Sequence, residues 1–169
     1  MTNYGSNDVM AGVLASPPRQ SPVGLTRGRV RVQHGTFQIP AGLLINEYII
    51  LFRLPTVARI LTLFTQWDDL GGTMTLQLGL YDAHENISDS PTVRDFDLFD
   101  VAGAGSAAVA SVDQRFATLN HNTTGQMLWE LLGLTADPGG DYDVVVTFTA
   151  ATTPITGADY SWRCTYIVD

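Results

Sequence analysis

Apolar and polar residues alternate with period two over much of this chain. From Gly28, Val30 and Val32 share one parity, Arg29, Arg31 and Gln33 the other, and Phe37 and Ile39 extend the run to Pro40-Ala41-Gly42. Such alternation predicts a strand with one buried face, here the valine face. It sets Arg29 and Arg31 side by side on the exposed face, roughly 6–7 Å apart. Residues 73–81 alternate in the same way, with Met74, Leu76, Leu78 and Leu80 against Thr73, Thr75 and Gln77. So do residues 142–149, and Tyr160, Trp162, Cys164, Tyr166 and Val168 line one face of a last strand. Residues 47–53 and 58–66 are apolar on both faces, the pattern of strands covered on both sides in a core or at a subunit contact.

Turn chemistry separates these runs. Leu54-Pro55 turns the chain, and Asp68-Asp69-Leu70-Gly71-Gly72 predicts a turn joining residues 58–66 and 73–81 as an antiparallel hairpin. Pro138-Gly139-Gly140 is a strong break. Residues 102–111 are compatible with a short helix, although two glycines weigh against it, and residues 126–132 suit either helix or strand. Six to eight strands without a long amphipathic helix predict an all-β fold, an antiparallel β-sandwich or jelly roll. Its extent is residues 29–169. Residues 1–28, with Pro17, Pro18 and Pro22, predict an extended N-terminal arm.

Charge divides the chain at nearly the same place. Residues 1–46 hold four arginines against the single acid Asp8, a formal +3, whereas residues 47–169 hold five arginines against sixteen acids, a formal −11. The arm also carries the apolar cluster Val9, Met10, Val13 and Leu14, which a purely disordered linker rarely has. The expected partner-binding residues are therefore Val9, Met10, Val13, Leu14, Arg19, Arg27, Arg29 and Arg31. Charged residues make up only 15 % of the chain and none is lysine, against a usual ~25 %. Extensive burial against neighbours and compositional bias toward arginine explain this equally well. The acidic balance disfavours nucleic acid as main partner. The most apolar stretch, residues 41–52, is interrupted by Asn46 and Glu47 and is too short to span a membrane. Residues 1–10 lack a basic segment followed by an apolar core, so no secretion signal is expected.

Two stretches resemble proteins of tailed-bacteriophage heads. One runs from Leu54-Pro55 through Ala58-Arg59-Ile60-Leu61 and Asp68-Asp69-Leu70-Gly71 to Met74-Thr75-Leu76-Gln77-Leu78-Gly79-Leu80-Tyr81-Asp82. The other comprises Leu128-Trp129-Glu130-Leu131-Leu132-Gly133-Leu134, Asp137-Pro138-Gly139 and Tyr142-Asp143-Val144, followed by the strand with Tyr166. The resemblance implies a head decoration, or cement, protein: a β-sandwich, commonly trimeric, bound outside the lattice of the major capsid protein. The virion exterior would then be its location, assembled in the host cytoplasm, and no enzymatic activity or cofactor is implied.

His34, His84 and His121 are far apart, with no metal-ligand spacing, and Cys164 is the only cysteine. Asp95, Asp97 and Asp100 lie close in sequence, as do Asp68 and Asp69. These acids suit a solvated edge, a calcium ion, or arginines from a neighbouring subunit's arm; the last makes them candidate acidic docking residues, and no metal is assigned. Asn86 and Asn122 stand in glycosylation sequons, which carry little weight without a secretion signal. Trp67, beside two acids in a predicted turn, is the candidate for stacking on a sugar. The alternative function is accordingly a carbohydrate- or receptor-binding module of a phage spike or fibre.

Overall fold

The structure is a computed structural model that describes residues 29–39, 46–71, 74–83, 92–104, 108–114, 123, 125–150 and 157–168, with residues 100–104 and 150 by backbone only. Among these residues lie eight strands and one short helix: β1 (Arg29–Gln38), β2 (Tyr48–Pro55), β3 (Arg59–Trp67), β4 (Thr75–Asp82), β5 (Val93–Ala104), β6 (Val109–Asp113), α1 (Leu128–Leu131), β7 (Asp141–Ala150) and β8 (Asp159–Val168). They form two four-stranded antiparallel sheets, ordered β1-β8-β3-β6 and β2-β7-β4-β5. The expected all-β sandwich is what the chain forms.

Successive strands mostly change sheets, and only β4 and β5 are both consecutive and hydrogen-bonded. The predicted hairpin of residues 58–66 and 73–81 is therefore wrong. β3 lies in one sheet and β4 in the other, and the segment between them buries Leu70 and Met74 completely or nearly so. A turn with two buried apolar residues crosses the core edge; it does not fold straight back. Residues 102–111 are strand at either end, β5 and β6, not helix. Residues 126–132 contain α1, whose start is fixed by the Glu130 carboxylate accepting the Met127 N–H at 2.7 Å and by the Leu128 N–H donating to Ala58 at 3.0 Å.

The core fills the space between the sheets. Leu76, Leu78, Leu80, Val144, Val146, Phe148, Phe52 and Leu54 face inward from one sheet, and Ile60, Leu63, Trp67, Tyr160, Cys164 and Tyr166 from the other. Phe52 and Trp162 stack across the gap with centroids 4.4 Å apart. Phe37, Tyr160 and Trp67 form a row across β1, β8 and β3, at 5.1 Å and 5.8 Å. Gly35 lies close against Trp162: a methyl there would come to 2.9 Å from the indole.

The parity of β1 is the reverse of the expected one. Val30 and Val32 are 59 % and 55 % exposed, on the outer face with His34 and Thr36. The residues sharing the core-side face are Arg29, Arg31, Gln33, Gly35, Phe37 and Ile39, because Arg31 pairs with Tyr166 and Phe37 with Tyr160. Phe37 and Ile39 decide the register. They are the residues that reach the buried interior, Ile39 at 1 % exposure, and a strand places residues separated by an even number on one face. Arg29 and Arg31 do share an exposed position, at the end of the strand.

Candidate interaction surface

β1 is an edge strand of its sheet. Its ladder with β8 runs through ten consecutive pairs, Arg29↔Val168 to Gln38↔Asp159, with no register shift. The other three edges are interrupted. β2 has a bulge between Ile50 and Phe52, the β3–β6 ladder shifts between Thr65 and Trp67, and β5 shifts three times against β4. Bulges blunt sheet edges by twisting them away from incoming strands. β1 has none, and its sequence has no proline or lysine.

The side chains along this edge are unusual for a solvent-facing strand. Val30 and Val32 are the most exposed large apolar residues among those described. Arg29 and Arg31 are exposed and form no ion pair among the described residues, unlike Arg53 with Asp143 and Arg94 with Asp82. Farther along the strand, His34 and Thr36 border an open hollow of about 360 Å³ with Phe64, Gln66, Ser161 and Arg163. The Arg163 guanidinium sits 5.0 Å from the centre of the Phe64 ring.

The outer face of the other sheet is differently built. Asp143 is fully buried there and takes a bidentate pair from Arg53, Nε to Oδ1 at 2.7 Å and Nη2 to Oδ2 at 2.9 Å; this hydrogen bond holds the Arg53 guanidinium above its ordinary pKa. Tyr81 and Thr147 share a hydroxyl hydrogen bond at 2.6 Å, and burial pushes the Tyr81 phenol up. Tyr48 stacks on Tyr81 at 6.1 Å. With Val93, Phe96 and Thr149 these residues line a mainly apolar hollow of about 350 Å³.

The predicted acidic docking residues are not brought together as one site. Asp68 accepts the Asp159 N–H at 3.1 Å and Asp69 accepts the Gly71 N–H at 2.8 Å, so both carboxylates organise the exit from β3. Asp95 and Asp97 lie in β5, in the opposite sheet, with the Asp95 carboxylate 3.3 Å from the Asp97 N–H. Burial, then the hydrogen bond with the Asp97 side chain, raises the Asp95 pKa. The side chain of Asp100 lies outside the described residues, as do Val9, Met10, Val13, Leu14, Arg19 and Arg27. Among the described residues no three histidine, cysteine or acidic side chains gather as metal ligands. Cys164 is buried, and burial drives its thiol pKa upward. Trp67 is 6 % exposed and stacked on Tyr160, which overturns its reading as a sugar platform: the indole packs between the sheets.

An acid with a raised folded-state pKa costs stability while ionised, and that cost disappears as pH falls through the raised value. Asp95→Asn keeps the acceptor oxygen and removes the charge. The variant is expected to melt above the parent chain at pH 7, with the difference shrinking as pH is lowered through the carboxylate range. Thermal unfolding at several pH values checks this.

No protein-family model matches the chain, and no curated protein matches it. Solved structures do share its fold. A chain in the capsid of Ralstonia phage GP4 superposes with a TM-score of 0.63 at 19 % identity, over 96 % of this chain and 96 % of that one. A chain in the capsid asymmetric unit of cyanophage Pam1 superposes with a TM-score of 0.51 at 20 % identity, over 92 % and 96 % respectively. At such identities the likeness establishes the fold, an antiparallel sandwich of the jelly-roll kind.

Proposed function

We propose that this chain is a structural protein of a phage virion, specifically a decoration protein that binds the outer surface of the head and stabilises it. The observation that carries this reading is the end-to-end correspondence of its fold with chains of similar length in two phage capsids. The resemblance of residues 54–82 and 126–168 to phage-head proteins supports the same reading. A regular, apolar, arginine-bearing edge on an otherwise acidic body supports attachment through a defined surface.

In this reading the sandwich is the body of a homotrimer and residues 1–28 are a docking arm that lies on the major capsid protein or crosses to a neighbouring copy. Attachment is multivalent: individually weak contacts become strong because each copy is held in place by the others. Arg29 and Arg31 pair with acids of the partner, each such pair contributing through charge-assisted hydrogen bonds.

Co-sedimentation with purified phage heads tests the reading, with the copy number per head giving the occupied positions. Arg29→Glu combined with Arg31→Glu is expected to reduce occupancy while leaving the thermal unfolding of the body unchanged, because both side chains are exposed. Full occupancy of the double variant would remove the arginines from the attachment mechanism. The sugar-binding alternative loses its main support with the burial of Trp67.

A further inference from the structure

We propose that β1 is a strand-addition site: its edge, open among the described residues, takes up an extended, acid-bearing segment of the shell protein beneath the chain, which continues the β1-β8-β3-β6 sheet by one strand. The proposal rests on the head-binding reading only for the source of that segment. Its chemistry follows from the edge itself.

Three observations coincide on β1. Its free edge is the one edge with an unshifted ladder among the four seen in the described residues, so its outward N–H and C=O groups form a regular row. Unpaired backbone groups in such a row are a template for an added strand, and main-chain hydrogen bonds then supply affinity independent of sequence. Val30 and Val32, well over half exposed, lie on one face of the strand and offer apolar area to alternate residues of the newcomer.

Arg29 and Arg31, on the other face, choose among possible newcomers. A second β1 is a poor fit, because β1 holds no acid and so offers no partner to either arginine. Opposite charges across a ladder stabilise it. An extended segment with acids at alternate positions satisfies both arginines on one face while its remaining residues cover the valines on the other. The arginines thus favour an acidic partner over a second copy of the strand.

The test uses the full chain and a ten-residue peptide of alternating glutamate and valine, with a lysine-for-glutamate peptide as control. Binding of the acidic peptide should slow hydrogen exchange about tenfold or more at alternate amides of β1 and leave β2, β5 and β6 unchanged. Arg29→Glu with Arg31→Glu should weaken that binding about tenfold, two cross-strand charge pairs' worth. Equal binding of the lysine peptide, protection at another edge, or no binding at all would overturn the proposal. So would β1 amides protected in the dilute chain alone, which means the chain's own residues cover the edge, or protected only as chain concentration rises, which means a second copy does. Co-sedimentation of the parent chain with heads is run separately, so that a failure of head binding and a failure of the acidic edge are told apart.

Discussion

Gly79→Ala is expected to destabilise the fold by about 3 kcal/mol or more, or to dislodge β5 from the sheet, because the new methyl has no room and its obstruction is main chain. Gly79 sits in the middle of β4, pairs with Val145 of β7, and points to the outer face of the sheet. There the backbone of Asp95 and Phe96 crosses directly over it, and a Cβ would stand inside van der Waals distance of the Asp95 carbonyl oxygen and of the Phe96 main chain. A flexible side chain could move aside; a strand held by its own hydrogen bonds cannot without giving some of them up. The crossing is also where the β4–β5 register jumps, from Leu80↔Asp95 to Leu78↔Asp100, and where Leu98 and Phe99 turn into the core. Urea denaturation of the variant measures the loss. Gly35→Ala serves as the control, with a smaller expected cost, since its methyl meets the indole of Trp162, a side chain. Equal stability of Gly79→Ala and the parent would show that β5 does not cross β4 in this way.

Arg53→Ala is expected to cost about 2–3 kcal/mol, less than the loss of one partner from a fully dry pair because Arg53 itself is 44 % exposed. The cost arises on the other side of the pair. The Asp143 side chain has no exposure, so removing the guanidinium takes a bidentate partner from a carboxylate that water does not reach. The reverse substitution, Asp143→Asn, is expected to cost less, since a half-exposed guanidinium recovers hydration. Chemical denaturation of the two variants gives the comparison, and the asymmetry is the diagnostic result. A greater loss from Asp143→Asn than from Arg53→Ala would mean that the remaining contacts of Asp143 matter more than this pair.

These positions show how far the chain is readable without its fold. Six of the eight strands follow from alternation or from two-sided apolar runs, since period two is a local property of the backbone. β5 and β6 do not. Their segment mixes Asp95, Asp97 and Asp100 with Gly103 and Ala104, and β5 is bulged against β4, with the successive residues Leu98 and Phe99 both buried. The short β6 carries no strict alternation. The two acids after Trp67 suggest a turn with an exposed indole, but Asp68 and Asp159 bond to each other and the indole is buried against Tyr160. The candidate edge was partly legible. Arg29 and Arg31 stand out by charge, whereas the exposure of Val30 and Val32 contradicts the reading that put apolar residues inside. The run from Val30 to Ile39 contains apolar residues of both parities, and local pattern does not say which parity meets the core.

The amino-acid sequence by itself determined an all-β chain with an acidic body, a basic leading segment, and arginines adjacent on one strand, because strand period and formal charge need no knowledge of neighbours. Tertiary structure decided which face of β1 is inward, which turns cross between sheets, that Asp143 is buried against Arg53, and that one regular sheet edge remains open among the described residues. Those properties depend on what each strand pairs with and on what covers it, and the pairing partners lie up to 139 positions apart, as Arg29 and Val168 do.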